Sequence, residues 1–349
     1  MSEISHHTYD SSLRFLLSPI LAFLEEQADV TEIMINGPSE IYVERRGRIE
    51  KTEARFADDR SLMAAVTNIA QFSGRHLRSE EPRFDARLPQ GHRVHVVLPP
   101  LCRNGISVTI RKHSEGSLTL NDLLAQGSLS KEAADYLSAC IHAQKNLVVS
   151  GGTGTGKTTL LNALSSLIPA GERILVIEDS AELQIQQEHV LSLETRPPDR
   201  KGRGAVTIRD LLHSALRMRP DRIVIGECRG GEAFDLLQAM NTGHAGSMST
   251  VHANTPREAL QRLETLALLS GIDIPLRFLR AQVAEAIHVI VQLQRLAGRR
   301  FVLSIAACQG LDGAGDYRTS DLYAWDLDNG ALRRTEGARG YLAEGNPLP

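Results

Sequence analysis

The sequence is poor in cysteine, in long apolar runs and in excess charge of either sign. Its four cysteines, Cys102, Cys140, Cys228 and Cys308, stand far apart among 349 residues, and no two form a C-x-x-C pair. That spacing excludes the usual zinc sites. So few cysteines in so long a chain also argue against a disulfide framework and fit a reducing, cytoplasmic setting. The first apolar run, Leu13 to Leu24, is interrupted by Pro19 and closed by Glu25-Glu26. It falls short of the roughly 20 residues needed to span a bilayer and lacks the basic start of a secretory signal, so it reads as an amphipathic or core helix. A net charge of -3 removes the global basic excess expected of a nucleic-acid binder. Two local basic clusters, Arg45-Arg46-Gly47-Arg48 and Arg299-Arg300, read as solvated surface. Internal repeats and low-complexity segments are absent.

What is there is ordinary in bulk, with 42% apolar and 23% charged residues. The length suggests two domains, and the two halves differ in texture. Residues 1–112 carry short alternating segments. Thr31–Asn36, Ile41–Glu44, Arg48–Glu50, Phe84–Leu88, Arg93–Leu98 and Ile106–Arg111 read as strands, with a helix capped by Asp58-Asp59 running to Phe72. This predicts an α+β domain of mainly antiparallel strands. The polar stretch His113–Ser117 opens a linker over 113–120. From 121 to 349 apolar strands alternate with helices. Helical patterns cover Asn121–Leu124 and Lys131–Ala143, and Leu147–Ser150, Arg173–Ile177 and Arg222–Ile225 read as buried strands. That alternation predicts an α/β domain with a mainly parallel sheet.

The strongest signal is GGTGTGKT, comprising Gly151, Gly152, Thr153, Gly154, Thr155, Gly156, Lys157 and Thr158, followed by Thr159. It fits G-x-x-x-x-G-K-[ST]. The glycines let backbone N–H groups face phosphate oxygens, and the helix that follows adds its positive end. Lys157 then reaches the β- and γ-phosphates and the Thr158 hydroxyl ligates Mg²⁺. The motif follows a strand and opens a helix over Thr159–Leu167, as that chemistry requires. With glycine near 7% of residues, a chance match in such a chain is roughly a 1% event.

Three further segments carry chemistry. Arg173-Ile-Leu-Val-Ile-Glu-Asp179 is an apolar strand tipped by Glu178 and Asp179. At the carboxyl edge of a parallel sheet such acids face the ligand crevice, although strand ends often carry merely solvated acids. Asp221-Arg-Ile-Val-Ile-Gly-Glu227 repeats the pattern with one acid, as a Walker B strand does, so Glu227 would hold Mg²⁺ directly or through water. Thr242 to His252 holds His244 and His252 around a short strand. No cysteine or acid stands at metal-ligand spacing, so either histidine is a sensor of phosphate or a structural residue. Arginines add a diffuse signal: Arg83, Arg87, Arg93 and Arg111 in the first half, and Arg196 and Arg203 between the acidic strands. Their guanidinium forks suit phosphate clamping, and equally a plain surface.

Taken together, SGGTGTGKTTLLNAL, RILVIEDSAELQ, LRMRPDRIVIGECRGGEAFDLLQAMNTGH and STVHANTPREALQRLE resemble the type II/type IV secretion ATPase superfamily. LETRPP, VTIRDLLHSALRMRPDRI and the first-domain stretch PRFDARLPQGHRVHVVLPPL…SVTIRK are most similar to its Tad (CpaF-type) pilus-assembly branch. The resemblance spans about residues 30–295. It implies a PAS-like α+β domain followed by a RecA-like P-loop NTPase domain with a C-terminal subdomain, and Mg²⁺-dependent ATP hydrolysis without zinc. By the same resemblance Glu178 polarises water, Glu227 is the Walker B acid, His244 and His252 form a His box, and Arg196 matches a family arginine. Arg87, Arg93 and Arg111 would reach the nucleotide from the first domain. The family pattern further implies a hexameric ring at the cytoplasmic face of the inner membrane. There it would act on membrane platform proteins rather than on a specific nucleic acid. The chain is expected to lack the N-terminal extension of many Tad ATPases, and its tail after about Ala297 departs from the pattern. Export of effectors or DNA, a RecA-like nucleic-acid motor and a nucleotide-binding regulator remain as alternatives. Direction of movement is not legible, and the residues alone do not divide the roles of Glu178 and Glu227.

Overall fold

The computed structural model describes residues 11–338 apart from 79, 114–117 and 200. Half of the expected linker, Ser114 to Ser117, therefore lies outside the described residues. The chain divides into two compact units, Met1–Glu115 and Gly116–Pro349.

The first unit is built on a six-stranded antiparallel sheet, ordered β3-β2-β1-β6-β5-β4. Its strands are β1 (Val30–Asn36), β2 (Ile41–Arg45), β3 (Arg48–Lys51), β4 (Arg83–Arg87), β5 (Arg93–Val97) and β6 (Ser107–Arg111). The helix Asp59–Phe72 starts where Asp58 accepts a hydrogen bond from Ser61 N while the Ser61 hydroxyl answers the Asp58 N–H. This reciprocal cap satisfies two donors that the first turn leaves open. Leu62, Ala65, Val66 and Ile69 of that helix are buried in one cluster with Ile33, Ile35, Val94, Val96, Val108 and Ile110 from one face of the sheet. Leu13, Leu17, Ile20 and Leu24 join the same cluster, so the first apolar run is a core element. Among the described residues no helix is long and apolar enough to cross a membrane.

The second unit holds a nine-stranded sheet in the order β15-β14-β13-β12-β7-β11-β10-β8-β9. From β12 to β9 every neighbouring pair is parallel. Strands β7 (Leu147–Gly151), β8 (Ile174–Glu178), β10 (Arg222–Ile225) and β11 (Met248–Val251) are buried along their whole length. They need no polar face because helices cover both sides. Helices Lys131–His142 and Lys157–Ser165 pack on one side. Helices Ile208–Ala215, Glu232–Asn241, Pro256–Leu268 and Leu276–Ala286 pack on the other.

Three expectations change. The phosphate-loop helix runs over Lys157–Ser165, two residues earlier than expected at each end. It starts directly after Gly156, whose φ of 95° provides the turn from loop into helix. Beyond β12 (Val289–Leu296), the segment past Ala297 extends the main sheet as an antiparallel wing: β13 (Arg299–Leu311), β14 (Tyr317–Asp326) and β15 (Ala331–Arg334). Strand β9 (Val190–Glu194) closes the opposite edge of the sheet and was not anticipated.

Candidate functional site

Because β7, β8, β10 and β11 run parallel, their carboxyl ends emerge at one edge of the sheet. The phosphate loop leaves β7 there, Glu178 ends β8, Glu227 follows β10 by two residues, and His252 directly follows β11. The four expected segments thus meet by topology.

Within the loop, the Thr155 hydroxyl donates to Gly152 O at 2.9 Å. The Lys157 ammonium donates to Gly151 O at 3.1 Å and Gly152 O at 2.9 Å. Lys157 is buried, while Thr158 and Thr159 are half-buried in the first turn of the helix. The N–H groups of such a turn have no intrahelical acceptor and suit an anion. Thr153 and Gly154 form the exposed rim.

Lys157 Nζ also lies 3.3 Å from His252 Nε2, and that nitrogen is 2.8 Å from Glu227 Oε1. Burial, and next the Lys157 ammonium, hold the His252 imidazole below its ordinary pKa. Glu227 Oε1 is buried and lacks hydrogen-bond alignment with any neighbour. Its partner oxygen Oε2 accepts from Arg229 Nη2 at 2.6 Å, and Arg229 Nη1 approaches Asp179 Oδ2 at 3.7 Å. A buried carboxylate oxygen whose near neighbour is a His252 nitrogen, with the Thr158 hydroxyl in the adjoining first turn, supplies the hard oxygen donors that Mg²⁺ takes.

Glu178 is 5% exposed. Its Oε1 accepts from Glu182 N and Leu183 N, both at 3.1 Å. Burial raises its pKa to about 7, against the pull of those two N–H donors. The neighbouring strand makes room for it. A Cβ at Gly226 would stand 2.9 Å from Glu178 Cγ, so only glycine fits one residue before Glu227.

Other expected site residues lie elsewhere. His244 precedes β11, whereas His252 follows it, so the four-residue strand puts His244 at the opposite edge of the sheet, roughly 13 Å away at 3.3 Å per residue. The structure does not bring it to the phosphate loop. Its backbone carbonyl accepts from the Ser247 hydroxyl, and its Nδ1 is buried without a partner. Arg196 pairs with Val206 just past β9, and its Nε donates to Gly204 O at 2.7 Å. Four strand steps separate β9 from β7, roughly 19 Å at 4.8 Å each. Arg87, Arg93 and Arg111 form one cross-strand row in the first unit: Arg87 opposes Arg93, Arg93 opposes Arg111, and Arg111 opposes Glu32. Burial, and next Glu44, raise the Glu32 pKa, while Arg111 lowers it.

Two groups escaped the sequence reading. Arg229, two residues past Glu227, orients that acid; its position in ECRGG was the available signal. Arg299-Arg300 is not merely solvated surface. Arg300 Nε donates to Gly154 O at 2.9 Å, and Arg299 Nη2 donates to Gly127 O at 3.1 Å.

A glycine-rich loop feeding a helix, with two acid-tipped strands beside it on one parallel sheet, defines a P-loop nucleotide site. The chain belongs to the family described as Type II/IV secretion system protein, which it matches over residues 17–309. It is 38% identical over 330 residues to the type IV secretion system protein PtlH of Bordetella pertussis, covering 86% of this chain and 96% of that one. It is 32% identical over 310 residues to the conjugal transfer protein TrbB of Rhizobium radiobacter, covering 88% and 92%. The solved ATPase DotB of Legionella pneumophila has a similar fold, with a TM-score of 0.56 at 21% identity and coverage of 88% and 82%. The core is accordingly RecA-like.

Proposed function

We propose that this protein is an Mg²⁺-dependent ATPase that works as a hexameric ring motor for Tad-type pilus assembly or retraction. The ring would sit at the cytoplasmic face of the inner membrane and act on membrane platform proteins. The observation that carries the ATPase reading is the cluster at one sheet edge, where Lys157, His252 and Glu227 form a continuous chain of contacts beside the phosphate loop. The Tad reading rests on the first-domain and LETRPP stretches.

The loop and the first turn, Gly151 to Thr159, hold the phosphates. Lys157 leaves its contacts on Gly151 O and Gly152 O for the β- and γ-oxygens. His252 then reports on the γ-position, because it touches both Lys157 and Glu227. Glu178, with a pKa near neutrality, takes up proton density from the attacking water. Thr158 and Glu227 would hold Mg²⁺, which would supply positive charge to the phosphate oxygens. Arg87, Arg93 and Arg111 share one face of the first unit and supply a guanidinium clamp when that unit closes on the nucleotide.

A second reading, export of effectors or DNA, is favoured by the names of the relatives, PtlH in type IV secretion and TrbB in conjugal transfer. Deletion of the gene separates the two by whether surface pilin or substrate export is lost.

Phosphate release tests the site. Lys157→Ala is expected to lower ATP turnover by at least about 100-fold, since it removes the one ammonium that meets the transferring phosphoryl group, with an unchanged circular-dichroism spectrum. Turnover within twofold of the parent protein would refute the assignment.

A further inference from the structure

The chain between β8 and β9 has no ladder to satisfy its backbone. Residues 181–187 are neither helix nor strand, yet three successive N–H groups there find side-chain acceptors. Glu182 N and Leu183 N donate to Glu178 Oε1, both at 3.1 Å, and Gln184 N donates to Asn162 Oδ1 at 2.8 Å. The first two hold the Glu178 carboxylate. The third ties the same stretch of chain to the phosphate-loop helix.

Asn162 is an unusual choice for its position. It lies inside the helix Lys157–Ser165, where every residue from Leu160 to Ser165 is buried, and it is itself 5% exposed. Asparagine is a weak helix former, and its amide loses water on burial unless a partner replaces it. The Gln184 bond is what this side chain supplies in return. Two further contacts fasten the segment to the same helix. Leu183 is buried in one cluster with Leu160, Leu161 and Leu164. Gln187 Nε2 donates to Ser166 O at 3.1 Å and Ile168 O at 2.7 Å, just past the end of the helix. Lys157 opens this helix, and Asn162 follows roughly 7.5 Å along its axis at 1.5 Å per residue. Close-packed elements transmit displacement rather than absorb it, so a shift of the helix carries the segment with it.

We propose that Asn162 is a positioning residue for Glu178: through the 182–184 segment it locks that carboxyl to the helix that carries Lys157 and Thr158. The element that holds the phosphates and the group that acts on the attacking water then move as one body. Asn162 touches no reacting atom and works through two backbone N–H groups. The proposal rests on the reading of Glu178 given above.

Phosphate release and calorimetric titration of the full chain with ATP separate this role from general support of the helix. Asn162→Ala removes the acceptor and puts a better helix former in its place. It should lower kcat at least about tenfold, because a displaced catalytic group loses its attack geometry, and leave ATP affinity within about twofold. Asn162→Asp keeps an acceptor oxygen at that point and should bring kcat back to within about threefold of the parent protein. If a thermal melt shows Asn162→Ala unfolded, Asn162→Ser, whose side chain is too short to reach Gln184 N, carries the same comparison. In a Glu178→Gln background Asn162→Ala should cost almost nothing further, since its effect passes through that carboxyl. Unchanged kcat in Asn162→Ala, an equal loss in both backgrounds, a matching loss of ATP affinity, or Asn162→Asp as slow as Asn162→Ala would overturn the proposal. Turnover of Glu178→Gln within about twofold of the parent is a different result: it would bring down the reading of Glu178 and the proposal with it.

Discussion

Glu178 shows how one residue combines cost and use. Its carboxyl is buried at the end of β8, and burial lifts its pKa from 4.5 to about 7. The unfolded chain releases this proton near 4.5, so between that pH and about 7 the folded state binds more protons than the unfolded state. Stability from this group is therefore present at low pH and is lost as pH rises towards 7. Above pH 7 the charged carboxylate costs on the order of 3 kcal/mol. Glu178→Gln keeps the shape and removes the charge. It should stabilise the protein against urea at pH 8, with most of the gain gone at pH 5, while ATP turnover falls. Equal gains at both pH values would mean that the charge of Glu178 is not what burial penalises. The same scale shows why spacing misplaced one histidine. His244 and His252 flank a single strand, and from sequence either could face the phosphate loop. Only strand direction separates them, and direction belongs to the sheet.

At the scale of elements, the acids at the carboxyl edge depend on the register held at the amino edge. Arg222 opens β10 and is fully buried. Its guanidinium pairs with Glu172, just ahead of β8, and donates to Ile141 O at 3.0 Å and Gly246 O at 3.3 Å. It thereby ties the starts of β8, β10 and β11 together. Gly246 has a φ of 77°, and a Cβ there would stand 1.7 Å from Arg222 Nη1. Gly246→Ala must displace a buried charge from its partners, so a loss of at least about 3 kcal/mol in urea unfolding is expected. A loss under about 1 kcal/mol would show that Arg222 can swing aside. These parallel strands were legible in sequence because apolar runs buried on both faces leave an unbroken pattern. The β12–β15 wing was not. Its first turn, Ala297-Gly298, takes positive φ at both residues, 49° and 83°, without the Asn or Asp that usually announces such a hairpin. The signal for that wing was therefore faint.

For the whole molecule, Arg196 poses the sharpest question. It lies at the β9 edge, about four strand spacings from β7, beyond the reach of a side chain towards its own phosphate loop. In the proposed ring an arginine on an outer sheet edge can instead serve the site of the next copy, supplying charge to the transition state from outside. Two measurements bear on this. Light scattering in the presence of ATP should give six times the 38.2 kDa chain mass, and a monomer mass would end the ring reading. Lys157→Ala chains keep Arg196 but lose their own site, whereas Arg196→Ala chains keep the site and lose the arginine. Each variant alone should be nearly inactive, and mixed rings should regain measurable turnover, because some interfaces then join an intact site to an intact arginine. Mixed rings with no more activity than the sum of the two variants would place the role of Arg196 within its own subunit, in the loop it pins through Gly204.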